Sequence, residues 1–473
     1  MTQLSAREIA RRAGGRVEGD ENAVVDAWAF DSRALDEGAC FVALRDARDG
    51  HDFVGAAFDA GAHVALVDEA FVQKAPMTLG AGRALVRVGD TLGALQEVAR
   101  SLRLDRPELH VVAVGGSAGK TSTKDLLAAV LSSRGCYANA ESYNNEFGLP
   151  ITLCNAPASA GVVVTEMGER FAGDLHELCE IARPDTGLIT NVGLAHAEHL
   201  GGRDGVIAVL GELLEALPGS GTAILNADDP ATPSLAARTL ATVVTVGETD
   251  AADYRISDIT VDGRLRPTFA LDGNVFTVPL RGAHQATNAA MAIAVAHGVF
   301  SLSYAEIAVE LAGAVAGRWR MELLETDAGV VVLNDSYNAN PASMGAALVA
   351  LAHLDLAPGG RRFAVLGDMR ELGVHHDDAH REIGEQAAAL ALDVVVGVGE
   401  GGAAIADAAR AGGVAVHVVA DAGAAVHLVA PLLDRGDAVL VKGSRALGLE
   451  RVSEELLAAA RTAHRGCAGG DRR

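Results

Sequence analysis

A glycine-rich segment between a hydrophobic run and a helical run is the feature that most restricts how this chain can fold. Residues His110–Val114 have the composition of a buried strand, and Gly115–Thr121, with the sequence GGSAGKT, follows directly. Ser122–Leu131 then has the pattern of a helix. A strand, a glycine turn and a helix start together form a loop in which backbone N–H groups surround a phosphate. The segment therefore predicts an α/β domain that binds a nucleotide.

The residue types within this loop predict a role for each side chain. Lys120 is expected to reach the terminal phosphates of ATP, and the hydroxyl of Thr121 to ligate Mg²⁺. The loop departs from the full Walker A pattern, because Val114 stands where that pattern has its first glycine. The remaining residues predicted to contact the nucleotide here are Gly116, Ser117, Gly119 and Ser122.

Two further predicted strands end in polar residues that suit a magnesium site. The strand Gly161–Val164 leads into Thr165 and Glu166, and the strand Thr186–Ile189 leads to Asn191 and His196. In a parallel sheet, ligands gather at the carboxyl ends of the strands, so Glu166 and His196 should face the same crevice as Lys120. A hydroxyl, a carboxylate and an imidazole are all ligands for a hydrated Mg²⁺. The sequence thus predicts Lys120, Glu166 and His196 as catalytic residues, with Thr121, Glu166 and His196 on the metal.

The chain is long enough for several domains, and its pattern changes twice. A length of 473 residues exceeds one ordinary core. The pattern resets near Asp105 and again after Gly317, which predicts three α/β domains covering 1–105, 106–316 and 317–473. The central one is predicted to be a doubly wound parallel sheet. Within it, 258–280 carries two Asp-Gly pairs typical of hairpin turns and is predicted to form an antiparallel patch.

Composition limits the partners and the compartment. A net charge of −23 disfavours nucleic acid, because an acidic surface repels a polyanion. No apolar run approaches the roughly 20 residues needed to cross a bilayer. The five cysteines are scattered and form no C-x-x-C pair, which indicates reduced thiols in a cytoplasm. We therefore expect a cytoplasmic protein with small-molecule partners, no membrane insertion and a monomeric state.

The loop, the Thr165-Glu166 strand end and the Asn191 to His196 segment resemble those of the Mur ligase family, which joins amino acids or peptides to muramyl precursors. Four other segments narrow the resemblance to the members that attach D-alanyl-D-alanine to a UDP-MurNAc-tripeptide. A further pair, Asp31-Ser32-Arg33 and Asp49-Gly50-His51, resembles the UDP-sugar-binding first domain of the family. The four narrowing segments are NNEFGLP at 144–150, DSYNANP at 335–341, VLGDMRELG at 365–373 and KGSR at 442–445.

This resemblance implies a fold, a reaction and further site residues. The fold would comprise a UDP-substrate domain, an ATPase domain and a Rossmann-like closing domain. The tripeptide carboxylate would attack the γ-phosphate of ATP to form an acyl phosphate, which the D-alanyl-D-alanine amine would then displace. By family role, the nucleotide would also contact Asn288, Arg318, Asp335, Asn338 and Asn340. The substrates would contact Ser32, Arg33, Asp49, Asn144, Asn145, Lys442, Ser444 and Arg445.

The chain departs from the family pattern at positions that bear on metal binding. The resemblance implies a carbamylated lysine just before Gly211-Glu212, but Leu210 stands there, and the chain has no lysine between Lys124 and Lys442. Either another carboxylate substitutes, or one metal suffices, or activity is weakened. A paralogue acting on a different peptide or amine, or a regulatory relative with weakened catalysis, therefore stays an alternative.

Two other motifs carry competing interpretations. The segment 397–402 reads GVGEGG after a predicted strand, and Asp421 follows about 20 residues later, as in a dinucleotide-binding dehydrogenase. A Rossmann-like closing domain would account for the same segment. The run His375 to His380 contains three histidines and two aspartates that could bind a transition metal. A polar helix start is the interpretation we favour for that run.

Overall fold

The computed structural model describes residues 2–72, 79–139, 143–194 and 197–467, with side chains up to residue 458. Three α/β units follow one another along the chain, and each is built on its own sheet, of five, nine and six strands respectively. Their order confirms the predicted α/β architecture. The exact boundaries at 105/106 and 316/317 stay predictions.

The first unit is a five-stranded sheet in the order β2-β7-β6-β5-β4, beside a two-stranded β1-β3 pair. Strands β4 to β7 run parallel, and β2 joins the edge antiparallel. The strands are β1 (Leu4–Ser5), β2 (Arg16–Gly19), β3 (Val24–Val25), β4 (Ala27–Ala29), β5 (Ala39–Val42), β6 (Val64–Asp68) and β7 (Ala84–Val88). The helices are α1 (Ala6–Ala13), α2 (Val54–Asp59) and α3 (Thr91–Leu104).

The second unit is a nine-stranded sheet in the order β16-β15-β14-β13-β12-β11-β8-β10-β9. Strands β9 to β14 and β8 are parallel, and β14 to β16 are antiparallel, which confirms the predicted patch. The strands are β8 (His110–Gly115), β9 (Cys136–Ala138), β10 (Val162–Glu166), β11 (Thr186–Ile189), β12 (Thr222–Asn226), β13 (Thr242–Gly247), β14 (Tyr254–Val261), β15 (Pro267–Leu271) and β16 (Asn274–Thr277).

Helices cover both faces of this nine-stranded sheet. Residues on the two faces of β8 belong to different apolar cores: Val111 and Ala113 pack into one, and Val112 and Val114 into the other. A strand buried on both faces must be hydrophobic throughout, which explains the uniform composition of this run. The helices are α4 (Lys120–Val130), α5 (Gly148–Asn155), α6 (Asp174–Ala182), α7 (Ala197–Leu200), α8 (Arg203–Glu215), α9 (Thr232–Ala236), α10 (Gln285–Ala294) and α11 (Tyr304–Leu311).

The third unit is a six-stranded sheet in the order β17-β18-β22-β19-β20-β21, parallel except for β17 at one edge. The strands are β17 (Glu322–Glu325), β18 (Val331–Asn334), β19 (Arg362–Gly367), β20 (Val394–Val398), β21 (Ala415–Val419) and β22 (Ala438–Lys442). The helices are α12 (Pro341–His353), α13 (His376–Ala389), α14 (Gly399–Ala411), α15 (Ala422–Val429) and α16 (Glu450–Cys467).

The second and third units meet at the carboxyl ends of their parallel strands. Asn340, which caps the start of α12, donates from its side-chain Nδ2 to the carbonyl oxygen of Ser117 at 3.1 Å. On the other side of the crevice, Arg170 Nη2 lies 2.9 Å from Glu371 Oε1. These contacts place the two strand ends opposite each other across one crevice. No helix in the described part of the chain is long and apolar enough to cross a membrane.

Candidate active site

The glycine loop occupies the turn between β8 and α4, where its backbone needs conformations that favour glycine. Gly116 has φ +125° and Gly119 has φ +81°. A Cβ atom on Gly116 would lie 2.1 Å from the hydroxyl oxygen of Thr190, so only glycine fits. Asn191 supports the other side: its carbonyl accepts from Ser117 N, and its Oδ1 accepts from Ala118 N. The loop is thus a rigid turn fastened to the end of β11.

Lys120, the first residue of α4, folds back over this loop. Its Nζ donates to the carbonyl oxygen of Gly116 at 2.5 Å and lies 3.4 Å from Glu169 Oε2. The lysine side chain is 13% exposed, so its charge is only partly hydrated. A charge held at the start of a helix and beside a glycine turn is well placed to attract a phosphate.

Thr121 and Glu166 meet at the centre of the same crevice. The hydroxyl of Thr121 donates to Glu166 Oε2 at 2.6 Å, and Asn144 Nδ2 donates to Glu166 Oε1 at 2.8 Å. A hydroxyl and a buried carboxylate, both oxygen donors, match the ligand preference of Mg²⁺. The residues present therefore fit the predicted metal. His196, the third predicted ligand, lies outside the described residues.

A cavity of about 920 Å³ joins these residues to the third unit. Within the third unit, Lys442 Nζ lies 2.6 Å from Asp335 Oδ2 and 2.8 Å from the carbonyl oxygen of Asn338. Lys442 is 2% exposed, and the buried pair fixes the start of the DSYNANP segment. Among the predicted residues, the cavity wall contains Ser117, Gly119, Lys120, Thr121, Ser122, Asn144, Asn145, Glu166, Asn288, Asp335, Asn338, Asn340, Lys442, Ser444 and Arg445.

A buried polar chain lies behind the glycine loop. Asn288 Nδ2 donates to Gln285 Oε1 at 3.1 Å, and Gln285 Nε2 donates to Ser122 Oγ at 3.4 Å. The side chain of Asn288 also lies against Gly119, where an added Cβ would come within 2.9 Å of it. Burial lowers the pKa of His284, which precedes this helix, and nearby Asp335 partly opposes that shift. Burial therefore favours the neutral form of the His284 ring.

Gly116 of the glycine loop and four predicted site residues outside that loop are not part of the cavity wall. Arg33 pairs with Asp31, an interaction that lowers the pKa of that aspartate to about 2, and Ser32 lies between them. Asp49 accepts from the backbone N–H of His51 at 3.0 Å and caps a short 3-10 turn. Arg318 stacks on the ring of Trp319 at 4.8 Å and is exposed. The geometry therefore gives Ser32, Arg33, Asp49 and Arg318 no contact with the cavity.

The cavity wall also contains residues that sequence reasoning missed. Arg320 lies over the ring of Tyr337 at 4.0 Å, and both line the cavity where Arg318 does not. Glu169 lies beside Lys120, and its side chain is fully buried. Alternation of arginine and tryptophan at 318–320 was the available signal for Arg320, but it does not tell which arginine points inward. For Glu169 the sequence offered no signal, because a glutamate after a strand is usually exposed.

The two competing motifs have structural roles in the third unit. At the GVGEGG segment, a Cβ on Gly397 would lie 2.0 Å from the carbonyl oxygen of Gly402, so these glycines let β20 and α14 pack closely. In the histidine run, His380 Nε2 accepts from Met369 N at 2.9 Å and its Nδ1 donates to His376 O at 2.7 Å. Both ring nitrogens are thus used by backbone groups. His376, His380 and Asp368 lie close together, but this bonding favours a structural role.

Leu210 lies in α8 with no exposed surface. Its methyl group lies 3.7 Å from where a Cβ on Gly115 would stand, beneath the glycine loop. Two positions on, Glu212 accepts from the backbone N–H groups of Gly173 and His176, at 2.8 and 3.1 Å, and so fixes the start of α6. This stretch of α8 therefore supports the loop and α6 by packing and capping.

Comparison with known proteins gives a consistent result over the whole chain. Residues 114–296 match the Mur ligase middle domain, and residues 319–445 match the Mur ligase glutamate ligase domain. The UDP-N-acetylmuramoyl-tripeptide–D-alanyl-D-alanine ligase of Mycobacterium tuberculosis is 37% identical, covering 97% of this chain and 98% of the relative. The enzyme of the same name from Bacillus subtilis is 32% identical, with 97% and 99% covered.

Solved structures agree with the sequence relatives. A crystal structure of MurF from Acinetobacter baumannii superimposes with a TM-score of 0.83 at 26% identity, covering 97% of this chain and 99% of that one. MurF ligase from Thermotoga maritima in complex with ADP gives a TM-score of 0.75 at 26% identity, with 93% and 99% covered. The fold of this chain matches both structures, and one of them contains a bound nucleotide.

Proposed function

Because this chain belongs to the Mur ligase family, we propose that it joins D-alanyl-D-alanine to UDP-MurNAc-tripeptide at the expense of ATP. The observation that carries the proposal is the convergence on one cavity of the glycine loop, the Thr121–Glu166 pair and the Lys442–Asp335 pair. The first two suit a nucleotide phosphate and its metal. The third comes from the opposite unit, so the site is complete only when both units are together.

The reaction has two half-reactions in one cavity. In the first, the terminal carboxylate of the tripeptide attacks the γ-phosphorus of ATP, and ADP leaves, which yields an acyl phosphate. Lys120 stabilises this step, since its ammonium group offsets the charge on the transferring phosphoryl group. In the second, the amine of D-alanyl-D-alanine attacks the acyl carbon, and inorganic phosphate leaves. The product is a UDP-MurNAc-pentapeptide, a precursor for peptidoglycan synthesis.

Mg²⁺ would be held by Thr121 and Glu166, with His196 as the third proposed ligand. When bound, the ion adds positive charge near the phosphate oxygens and so favours attack by an anionic carboxylate. The protein orients the Glu166 carboxyl group for this with two donors, Thr121 and Asn144. These ligand assignments can be tested separately, because Thr121→Val removes the hydroxyl but keeps the shape of the side chain.

The remaining parts of the substrates are assigned by position. We propose that 1–105 binds the UDP moiety, with Ser32, Arg33 and Asp49 contacting it, that 106–316 binds ATP, and that 317–473 closes over both. Asn144 and Asn145 would contact the peptide, and Lys442, Ser444 and Arg445 would contact the substrate from the closing side. We expect a monomer to be active. Closure of this kind limits ATP hydrolysis in the absence of substrate.

A phosphate-release assay tests the proposal. Purified protein, ATP and Mg²⁺ are incubated with UDP-MurNAc-tripeptide, with D-alanyl-D-alanine, with both, or with neither. Sustained release that requires both substrates, together with the pentapeptide product by mass spectrometry, is the expected result. Turnover that ignores either substrate, or that proceeds faster with another amine, would overturn the substrate assignment and favour a ligase for a different peptide.

A further inference from the structure

Glu169 is a buried carboxylate that no role described so far explains. Its side chain has no exposed surface, yet it lines the cavity beside Lys120. Its Oε2 lies 3.4 Å from Lys120 Nζ, whereas its Oε1 is buried and has no hydrogen-bond partner. A buried carboxylate oxygen without a partner is costly, so its persistence in a binding cavity points to a ligand that donates to it.

The backbone around Glu169 holds this carboxylate in place. Met167 N donates to Val114 O at 2.9 Å, and Gly168 N donates to Asn144 O at 2.8 Å. On the other side, Arg170 N donates to Asp174 Oδ2 at 2.8 Å. The segment is therefore fastened on both sides of Glu169. These bonds fix the point in the cavity wall from which the Glu169 side chain extends.

Charge balance then indicates what the ligand must be. Once the nucleotide is bound, Lys120 also interacts with phosphate oxygens. Lys120 then neutralises less of the negative charge of Glu169, which also faces the negative charge of the phosphates. A cation brought by a substrate would restore that counter-charge. Among the described residues, Glu169 belongs to no group of three side chains able to hold a metal ion. The cation that the second half-reaction brings is the ammonium group of the amine substrate, because an α-amino group is mostly protonated at neutral pH.

We propose that Glu169 is the catalytic base of the second half-reaction: Oε1 binds the ammonium group of the incoming amine and accepts one of its protons. This inference rests on the proposed function. The neutral amine nitrogen then forms the new C–N bond, and the C–O bond to phosphate breaks with its electron pair leaving on the phosphate. The second proton from nitrogen goes to the departing phosphate, and Glu169 returns its proton to solvent.

The surroundings of Glu169 suit a base at neutral pH. Burial raises the pKa of the Glu169 carboxyl, nearby Lys120 opposes that shift, and the charge of Glu166 adds to it. Arg170 is the next charged residue along the chain, but its guanidinium pairs with Glu371. A carboxyl whose pKa lies above its usual range takes a proton from an ammonium more readily than an exposed one.

Trapping the acyl phosphate with hydroxylamine measures the first half-reaction alone, and so distinguishes a role of Glu169 in the second half-reaction from a role in the first. It is a neutral nucleophile at pH 7.5 and captures an acyl phosphate as a hydroxamate without needing a base. In Glu169→Gln we expect hydroxamate formation from ATP and UDP-MurNAc-tripeptide to fall far less than amide formation. With D-alanyl-D-alanine, kcat/KM at pH 7.5 should fall about 100-fold or more, the usual loss for a missing general base. The control is Glu180→Gln, which removes one exposed carboxylate from the neighbouring helix α6 and should behave as wild type.

The pH profile gives a second readout. Without the base, the reaction depends on free amine, so the rate of Glu169→Gln should rise about tenfold per pH unit up to roughly pH 8, near the pKa of an α-amino group. Wild type should show a flatter profile. Glu169→Asp keeps a carboxylate and should keep the flat profile even where its rate is lower, which protects the test against a folding defect in the glutamine variant.

Three results would overturn the inference. Equal losses of hydroxamate and amide formation in Glu169→Gln would place Glu169 in the nucleotide step, through Lys120 or a metal. Unchanged amide formation would leave it without a catalytic role. Unchanged pH dependence would show that Oε1 carries a permanent proton. Failure of the proposed function itself is distinguishable, since wild type would then form no hydroxamate from UDP-MurNAc-tripeptide, or would form hydroxamate but no amide with D-alanyl-D-alanine.

Discussion

Replacing Gly116 by alanine should damage the nucleotide site through two separable effects. The first is backbone strain, because φ +125° is a conformation that residues with a Cβ rarely adopt. The second is steric overlap, because the new Cβ would lie 2.1 Å from Thr190 Oγ1 and 2.9 Å from Thr190 N. Thr190 cannot rotate away freely, since its hydroxyl donates to the carbonyl oxygen of Ala118 at 2.6 Å.

The magnitude follows from adding the two effects. Strain at such a φ costs about 1–3 kcal/mol, and overpacking at a rigid contact adds about 1–3 kcal/mol. The matched control is Gly173→Ala: Gly173 has φ +96°, but no atom lies within 4 Å of the new Cβ. This control should show the strain alone. The difference between the two variants therefore measures the overlap.

Two assays test this reasoning. Urea unfolding followed by circular dichroism should give a loss of about 2–6 kcal/mol for Gly116→Ala and about 1–3 kcal/mol for Gly173→Ala. Calorimetric titration with ATP should show at least tenfold weaker binding, about 1.4 kcal/mol, for Gly116→Ala. Adding Thr190→Ala should restore part of the stability and part of the ATP affinity, because it removes the overlap with the hydroxyl oxygen. Recovery should be incomplete, because the backbone N of residue 190 stays too close to the new Cβ. Wild-type ATP affinity in Gly116→Ala would refute the assignment of this loop to phosphate.

Three further changes probe other parts of the site. Lys120→Ala should abolish phosphate release while leaving the circular dichroism spectrum intact, and persistent turnover would remove the loop from the reaction. Lys442→Met should lower the free energy of unfolding by about 3–5 kcal/mol, because Asp335 keeps a buried charge without its partner. If that is the cause, the double variant Asp335→Asn/Lys442→Met should be about as stable as wild type. Burial lowers the pKa of His110, so stability should fall as the pH drops below about 6.5 and charge is forced onto the ring. In His110→Gln the free energy of unfolding should depend less on pH in that range. The same pH dependence in the variant and in wild type would contradict the role given to His110.

Much of the fold could be predicted because its signals are local. Buried parallel strands give continuous apolar runs, and the predicted strand Thr186–Ile189 has the observed bounds. The short edge strand β9 (Cys136–Ala138) and the interior strand β13 (Thr242–Gly247) were missed. Three residues at a sheet edge carry too little pattern, and β13 has partly exposed valines and threonines that resemble a loop.

The site was less predictable where it depends on distant contacts. The loop residues and Glu166 follow from strand ends, since parallel topology brings those ends together. The choice between Arg318 and Arg320 depends on which side chain stacks on Tyr337, and no local pattern decides that. Glu169 is hidden for the same reason: its burial comes from Lys120 and from the packing of 167–174, which only the folded chain brings together.

Because residue 210 is a leucine, the turnover of the enzyme should not depend on dissolved carbon dioxide. A lysine at this position would have to react with carbon dioxide before it could support a metal, and its occupancy would then vary with bicarbonate. The leucine is fully buried against the floor of the glycine loop and has no group that can react. Turnover of this ligase should therefore be the same in degassed and in bicarbonate-rich buffer. Synthesis of its product would then continue unaltered when the carbon dioxide supply of the cell changes.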